Sequence, residues 1–312
     1  MSTTLLHFST YKEGFPPPSS SSLRFHPSLV FSDGHRYNVT MALTQLVDSS
    51  ENVKGGAEMP TPEPVAFTIF GLNIMWYGIL VTCGIVIAAL IVYLRAPRHG
   101  INRDKLLNFI IICVPIGIIG ARAYYVIFNW SYYGGDIARI LNIRGGGLAV
   151  HGGLIAGLAA GAILCLIWKI RPLNLMDLCV PAIALAQSIG RWGNYFNGEA
   201  HGGPTDLPWA VIIDGQTYHP TFLYESIWCF ILFLILIFVD NHRKFEGQVL
   251  LLYGILYSME RFFVEALRTD SLMVGPFKQA QVISLVIIVI CVIAYLILRR
   301  NHRASGNRNK NT

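Results

Sequence analysis

The chain has 312 residues, of which 53% are hydrophobic and only 13% charged. A soluble globular domain carries about 25% charged residues, so this composition excludes an ordinary soluble domain and favours an integral membrane protein. The formal net charge is +6, but the basic residues lie mostly in short connections between apolar segments and in residues 299–312. Membrane topology explains that distribution, and we expect no nucleic-acid partner.

The first 63 residues differ in composition from the rest of the chain. They contain three consecutive prolines, Pro16–Pro18, and four consecutive serines, Ser19–Ser22, without a sustained hydrophobic period. Such a segment buries too little apolar surface to order itself, and it lacks the apolar core of a signal peptide. Its serine-rich, acid-poor start is weakly similar to an organellar transit peptide. We favour a disordered extension from an early start codon, with Met41 or Met59 as the natural beginning.

Seven apolar segments follow, each close to the ~20 residues that a helix needs to cross a bilayer. They predict an all-α membrane protein, a bundle of seven transmembrane helices formed by residues 64–298 and followed by a basic tail, residues 299–312. Glycines four residues apart in the third segment predict close contact with a neighbouring helix. The segments are Ile74–Leu94, Leu106–Phe128, Gly147–Trp168, Leu173–Gly190, Thr221–Val239, Gln248–Leu267 and Gln279–Leu298.

The basic residues predict the orientation of this bundle. Alternate connections and the tail hold thirteen lysines and arginines, beginning with Arg95, Arg98, Arg103 and Lys105, against five on the other side. Because lysine and arginine are retained in the cytoplasm, we expect a cytoplasmic C-terminus and, with an odd number of helices, an extracytoplasmic N-terminus. The connection from Arg191 to Pro220 then faces outward, where it is predicted to fold as a small extracytoplasmic cap.

The six cysteines indicate neither a disulfide framework nor a zinc site. No pair has CxxC spacing, and all lie in apolar runs, where cysteine behaves as a small hydrophobic residue. We expect no chemical role for Cys83, Cys113, Cys165, Cys179, Cys229 and Cys291.

Ionisable side chains within the apolar segments are the strongest indication of function. Each costs roughly 2.5–3.5 kcal/mol at the centre of a membrane helix, so each needs a partner or a polar cavity. In the sixth segment, Tyr257, Arg261, Glu265 and Arg268 form one polar stripe at helical spacing. An internal ion pair is the alternative interpretation of that stripe. The set comprises Arg122, His151, Arg191, Glu225, Arg261 and Glu265.

A second polar cluster runs from Gly190 to Glu199, where the fourth helix is expected to end. It combines an arginine, two asparagines and a carboxylate with three glycines. Glycines let backbone amides approach a ligand, and a guanidinium matches the oxygens of a phosphate. We therefore predict a site for an anionic lipid headgroup; an ordinary glycine-rich helix end is the alternative. For His219-Pro220, followed by Tyr224-Glu225, we favour a structural role.

His151 lies between glycine-rich stretches at the start of the third segment. A histidine exchanges protons near neutral pH, and the glycines leave room for a ligand. A hydrogen-bonded core histidine is the alternative interpretation.

Together these segments, over residues 64 to 298, resemble the prolipoprotein diacylglyceryl transferase family. The Arg-x-Gly-Asn-x-x-Asn-Gly-Glu signature is the most specific of them, and Glu199 to Gly203 looks like the form common in Gram-positive members. The motifs, in order, are Trp76-Tyr77-Gly78, Gly120-Ala121-Arg122, His151-Gly152, Gly190 to Glu199, His219-Pro220, Leu223-Tyr224-Glu225 and Glu260 to Glu265.

The resemblance implies an enzyme of the bacterial cell membrane that needs no metal or organic cofactor. Its partners are phosphatidylglycerol, membrane lipid and the lipobox segment of a prolipoprotein, whose cysteine sulfur receives the diacylglyceryl group. The family's essential arginines fall on Arg191 and Arg261, and its essential histidine falls on His151, our candidate base.

The same resemblance implies a set of lipid-binding residues. The family's asparagine, glycine and tyrosine positions fall on Asn194, Gly202 and Tyr77. We expect Glu199, Tyr257 and Glu265 to orient the headgroup and both arginines. A transporter or lipid flippase with buried charges is the competing interpretation, although no internal repeat supports it. A purely structural or receptor-like protein leaves the arginines without a ligand.

Overall fold

The computed structural model describes residues 6–7, 28–30, 36–38, 59–60, 62–143, 146–269 and 271–308, with side chains from residue 59 to residue 304 within those ranges. These residues contain seven long helices and two short ones, α3 and α4. In chain order they are α1 Trp76–Arg95, α2 Arg103–Phe128, α3 Trp130–Tyr133, α4 Ile137–Leu141, α5 Val150–Trp168, α6 Pro172–Phe196, α7 Thr221–Asn241, α8 Gln248–Leu267 and α9 Gln279–Arg308. The mainly helical class predicted from the sequence is confirmed.

Six of the described helices are long and apolar enough to cross a membrane: α1, α2, α5, α6, α7 and α9. The seventh long helix, α8, carries Glu260, Arg261 and Glu265 within its twenty residues. With three charged side chains, α8 is not among the six helices that meet the length and composition expected of a membrane span. The protein is therefore a membrane protein with at least six candidate spans.

The sequence-based bounds are close to the observed ones except at α6 and α9. Helix α9 continues to Arg308, so most of the predicted basic tail, residues 299–312, is helical and not separate from the last span. We expected α6 to end at Gly190, but it continues to Phe196. The prediction was wrong because helix-interior glycines were interpreted as breakers, whereas backbone hydrogen bonds carry the helix through them; the Asn197 amide still donates to the Gly193 carbonyl at 3.1 Å. The first part of the signature, Gly190 to Phe196, is therefore helical.

Helix α6 is the centre of the bundle. It packs against α1 on one side and α7 on the other, while α8 packs against both α7 and α9. Its buried apolar residues, such as Leu178, Val180 and Ala184, join the two main hydrophobic clusters. By contrast, α5 and α9 expose most of their apolar side chains, as expected for surfaces solvated by lipid.

Helices α2 and α5 form a separate close pair. A side chain at Gly152 would overlap the backbone of Gly120, and one at Gly120 would overlap Ala156. Gly120 and Gly152 therefore set the closest approach of the two backbones. Of the glycines spaced by four that predicted a close contact, Gly153 and Gly161 have a neighbour on α2 within 3.3 Å of an added Cβ, whereas Gly157 has none within 4 Å.

Short strands accompany the helices. The hairpin β5–β6, Val65–Ile69 and Leu72–Met75, leads directly into α1, and a second hairpin, β7–β8, Val211–Ile213 and Gln216–Tyr218, lies in the connection between α6 and α7. Strand β4, Met59–Pro60, pairs in parallel with β7. After α8 comes the pair β9–β10, Met273–Val274 and Phe277–Lys278.

Most of the predicted disordered extension, residues 1–63, lies outside the described residues. The described parts are β4, residues 62–63 and three short strands, β1 Leu6–His7, β2 Ser28–Val30 and β3 Arg36–Asn38, which form an antiparallel sheet in the order β1-β2-β3. The predicted start sites Met41 and Met59 stay a prediction.

One end of the bundle, which we call the basic end, gathers the connections α1–α2, α5–α6 and α7–α8. His99 lies buried between Asn174 and Asp240, at 3.1 and 3.0 Å, and Arg95 forms a 2.6 Å ion pair with Asp240. Buried Asp177 accepts hydrogen bonds from the backbone amides of Gly247 and Leu250. These contacts join α1, α6, α7 and α8.

Candidate functional site

The opposite end, which we call the signature end, contains a buried cluster of ion pairs built around Glu225. Its side chain is 1% exposed and lies on α7 between two arginines. Arg191, from α6, forms a short ion pair with one carboxylate oxygen, and Arg261, from α8, lies 3.7 Å from the other. One carboxylate thus joins the two arginines that the sequence singled out, although they are seventy positions apart.

A second carboxylate positions Arg261 alone. Glu265 Oε2 lies 2.9 Å from Arg261 Nη2, one helical turn away on α8. This pair is the helical stripe predicted from the spacing. Both arginine side chains remain 22–25% exposed, whereas their carboxylate partners are almost fully buried. The cations therefore face the accessible side of the cluster.

The ion pairs leave hydrogen-bonding capacity unused. Neither oxygen of Glu225 and neither Arg261 Nη1 nor Glu265 Oε2 has a well-aligned hydrogen bond to any described residue. A guanidinium has five N–H donors. The two arginines consequently retain donors for an oxyanion while the carboxylates hold them in place.

The α6–α7 contact beside Arg191 is fixed by reciprocal hydrogen bonds. Ser188 Oγ donates to the Ser226 carbonyl at 2.8 Å, and Ser226 Oγ donates to the Ser188 carbonyl at 2.9 Å. Trp192 Nε1 also donates to Ser226 Oγ at 3.1 Å. Arg191 follows Ser188 by three residues and Glu225 directly precedes Ser226, so the serine pair holds α6 and α7 together close to the two charged residues.

Tyr77 packs against the signature at Gly193. A Cβ at Gly193 would lie 2.7 Å from the Tyr77 ring and 3.3 Å from its Cα. The Tyr77 side chain is 41% exposed. The glycine allows α1 to approach α6 closely and places the predicted tyrosine on the signature, two residues after Arg191.

The amides and the carboxylate of the signature form their own network. The side-chain amide of Asn197 donates to Glu199 Oε1 at 3.0 Å, and that of Asn194 approaches the same oxygen at 3.4 Å. The backbone amide of Glu199 closes the helix end by donating to the Asn194 carbonyl. Asn194 and Glu199, both predicted to bind the lipid, are therefore joined in one hydrogen-bonded network at the end of α6.

Gly202 lies where three segments meet rather than in an open cavity. Its amide donates to the His219 carbonyl at 2.8 Å. A Cβ there would lie 2.7 Å from His219 Cβ and 3.1 Å from the Leu267 carbonyl oxygen. The described contacts give Gly202 a steric role, locking the α6–α7 connection onto the end of α8.

His151 is not in contact with either arginine in the described part of the chain. It is exposed in the first turn of α5, and its ring centroid lies 6.4 Å from that of Tyr124 on α2. It thus belongs to the α2–α5 pair, whereas Arg191 and Arg261 belong to α6 and α8. Its catalytic role stays a prediction.

Arg122, also predicted at membrane depth, has a structural environment. It is buried and donates to the carbonyls of Arg139, Ile140, Gly146 and Gly147 at 2.6–3.0 Å, with its guanidinium 4.9 Å from the centroid of the Tyr133 ring. Four carbonyl acceptors satisfy the cation. The side chain therefore anchors the connection between α2 and α5.

An apolar cavity of about 410 Å³ lies between α1, α2 and α6. It extends from Val92 and Leu106 towards Gln187 and Gly190, the residue that precedes Arg191. Tyr253 Oη donates to Gln187 at 2.9 Å, and the Tyr253 ring stacks on that of Tyr257. The cavity thus provides an apolar space that ends beside the ion-pair cluster.

Comparisons with known proteins identify the family. A family model described as prolipoprotein diacylglyceryl transferase matches residues 64–297. The chain belongs to this family. The resemblance of the sequence motifs to the prolipoprotein diacylglyceryl transferase family is therefore confirmed, and the six candidate spans are those of a family member.

Relatives named phosphatidylglycerol–prolipoprotein diacylglyceryl transferase match across most of their length. The one from Clostridioides difficile (strain 630) is 53% identical over 239 residues, which are 77% of this chain and 96% of the relative. The Finegoldia magna protein is 49% identical, covering 73% of this chain and 93% of the relative. For Staphylococcus epidermidis, the identity is 45%, with 76% and 89% covered.

The sequence prediction missed the central position of Glu225 in this family member. The residue was identified as an ionisable group in a span but assigned with His219 to a structural group. A better signal was available, since two arginines in apolar helices require a counter-ion at membrane depth. With Glu265 already matched to Arg261 by helical spacing, Arg191 still needed a carboxylate from another helix.

Proposed function

We propose that this chain transfers the sn-1,2-diacylglyceryl group of phosphatidylglycerol to the thiol of a prolipoprotein lipobox cysteine. The observation that carries this proposal is the pair of arginines joined through Glu225. The site lies beside an apolar cavity and holds two guanidiniums with free donors, a combination suited to a phospholipid phosphate. The names of the relatives supply the same substrates.

The reaction follows from the placement of charge. The cysteine sulfur attacks the glyceryl carbon that carries the phosphodiester oxygen, forming the S–C bond while the C–O bond breaks. The electron pair of that bond passes to the phosphate oxygen, and glycerol phosphate leaves. Arg191 and Arg261 stabilise the negative charge that develops on the phosphate, which is worth about 10²–10³ in rate for one such donor.

The thiol must also lose its proton. A free cysteine has a pKa near 8.5, so a base or a cationic field favours the reactive thiolate at neutral pH. We assign the base to His151, in the first turn of α5 where that helix packs against α2. Asn194, Glu199, Tyr77 and Tyr257 orient the headgroup, and Gly202 supports the connection that covers the site.

We also propose that all seven long helices cross the bacterial cell membrane. Helix α8 carries its charges on the face that meets Arg191 and Glu225, so burial inside the bundle compensates for them. The C-terminus is then cytoplasmic and the segment preceding α1 extracytoplasmic. The β4–β7–β8 sheet forms the extracytoplasmic cap, where phosphatidylglycerol and an exported cysteine meet.

The decisive experiment combines purified protein in detergent with phosphatidylglycerol and a lipobox peptide. We expect a thioether-linked diacylglyceryl peptide by mass spectrometry. Arg191→Ala should lower the rate about 10²–10³-fold, whereas Arg139→Ala, which removes an exposed arginine paired with Asp136, should leave it unchanged. Lipid movement without any covalent product would instead establish a flippase.

A further inference from the structure

Besides the apolar cavity near the signature end, a polar cavity of about 540 Å³ opens at the basic end of the bundle. The residues that line it come mainly from the connections α1–α2, α5–α6 and α7–α8. Counted along α6, Asn174 in this cavity and Arg191 in the proposed site are seventeen residues apart, or about 26 Å of helix. The basic cavity therefore faces the opposite membrane surface and is separate from the transfer site.

Cations dominate the wall of this cavity. Arg98, Lys105, Lys169, Arg171 and Arg243 line it, together with a single carboxylate, Glu246. Arg171 pairs with Glu246 at 2.6 Å, and Arg243 lies 3.4 Å from Asp177. Lys105, Lys169 and Arg98 form no ion pair with any carboxylate among the described residues, so the cavity has an uncompensated positive charge.

The backbone adds donors to the same cavity. Helix α6 begins there after Arg171, and no side chain caps its N-terminus. The first N–H groups of a helix lack internal partners and favour an anion. Pro172, the first residue of α6, has no N–H, however, and Asn174 is the residue of this first turn that lines the cavity. The unpaired side-chain cations are therefore the main feature of the cavity, and the helix N-terminus is secondary to them.

The conformation of Lys169 places one of these cations. It ends α5 with φ +54°, a left-handed conformation that glycine normally provides. Lysine adopts it here although glycine would be less strained. The neighbouring Trp168 also lines the cavity, and tryptophan favours the level of the lipid headgroups.

We propose that this basic cavity binds the phosphate group of an anionic phospholipid from the membrane surface opposite the transfer site. Lysine supplies point charges that suit a phosphate, and the Asn174 amide at the start of α6 adds an N–H donor. Basic pockets between membrane helices are suited to such headgroups. The positive-inside rule requires only that these basic residues lie on one side of the membrane. The proposal requires in addition that several of them bind the same phosphate group.

The test measures lipid binding to the full chain by native mass spectrometry. Phosphatidic acid serves as the anionic probe and phosphatidylcholine as the zwitterionic one. Lys105→Gln/Lys169→Gln removes two cavity charges, and Arg299→Gln/Arg300→Gln removes two exposed charges of α9 outside the cavity. Neither double variant alters the signature end, so retained thioether formation shows that both are folded.

The cavity variant should bind phosphatidic acid about 25-fold more weakly, since each lysine near an anionic lipid contributes roughly a fivefold factor in Kd. The α9 variant and phosphatidylcholine binding should be unaffected. Equal losses in the two double variants, or no loss in the cavity variant, would overturn the proposal. Inorganic phosphate is added as a competitor, and occupancy by inorganic phosphate without any lysine-dependent lipid binding would reject a lipid as the source.

Discussion

At the scale of single residues, the main feature of this protein is a carboxylate shared by two cations. Glu225 is almost completely buried, whereas Arg191 and Arg261 each expose about a quarter of their side chains. Burying a charge is costly unless it is paired. The arrangement therefore places the carboxylate in the interior and leaves the guanidiniums partly accessible.

Glu225→Gln keeps the shape of the side chain and removes its charge. We expect about 10²-fold slower transfer because both arginines lose the group that aligns them on the phosphate. The free energy of unfolding should fall by about 3 kcal/mol, since a buried charge network loses one partner. The rate of thioether formation and the thermal unfolding in detergent measure these effects. Glu246→Gln, at the exposed ion pair with Arg171, is the matched control; equal rates for the two variants would show that the arginines need no shared anchor.

His151→Gln tests the assignment of a base. If the imidazole removes the thiol proton, the deficit should be largest at low pH and shrink as the pH rises towards 8.5, where the substrate thiol ionises without help. The pH profile of the transfer rate from pH 6 to pH 9 measures this. A deficit of constant size across the profile would assign His151 to positioning instead.

At the scale of secondary-structure elements, glycines allow neighbouring helices to pack closely. Gly193 admits Tyr77 of α1 to the signature, and Gly120 and Gly152 bring α2 and α5 together. Without a hydrophobic driving force between helices in lipid, such contacts depend on packing and on close backbone approach. The position of His151 follows from the α2–α5 contact, because it precedes Gly152.

Gly152→Ala should separate α2 from α5. The new methyl group would overlap the Gly120 carbonyl and Tyr124 Cβ, and overpacking of this kind costs about 1–3 kcal/mol. We expect a lower thermal unfolding temperature and slower transfer. Gly157→Ala, on the same helix with nothing within 4 Å of the new Cβ, is the control. A lower temperature for Gly157→Ala as well would point to a general effect of glycine replacement.

At the scale of the whole molecule, two polar ends enclose an apolar bundle. The signature end holds the arginine cluster, and the basic end holds a hydrogen-bonded network around Asp240 and Asp177. Helices α6 and α7 run between them, so each contributes to both ends. The basic connections are gathered at one end, and the cytoplasmic location of that end stays a prediction from the distribution of lysine and arginine.

The orientation can be tested with single added cysteines. Asp214→Cys lies in the exposed turn between β7 and β8, and Asn301→Cys lies on the exposed last part of α9. A membrane-impermeant maleimide on intact cells should label the first and reach the second only after permeabilisation. Labelling of both from the same side would require an even number of spans and would place α8 outside the membrane.

The sequence by itself determined the class of the protein, most helix bounds and the identity of the two arginines. Hydrophobic length and charge placement are local properties, and the stripe on α8 follows from helical spacing alone. The tertiary structure decided which groups meet. It showed that α6 continues through its glycines, that Glu225 joins Arg191 to Arg261, and that Arg122 and Gly202 hold connections together. The contacts of Glu225 and Gly202 depend on segments that are distant in the chain, and the spacing of residues within one helix carries no information about them.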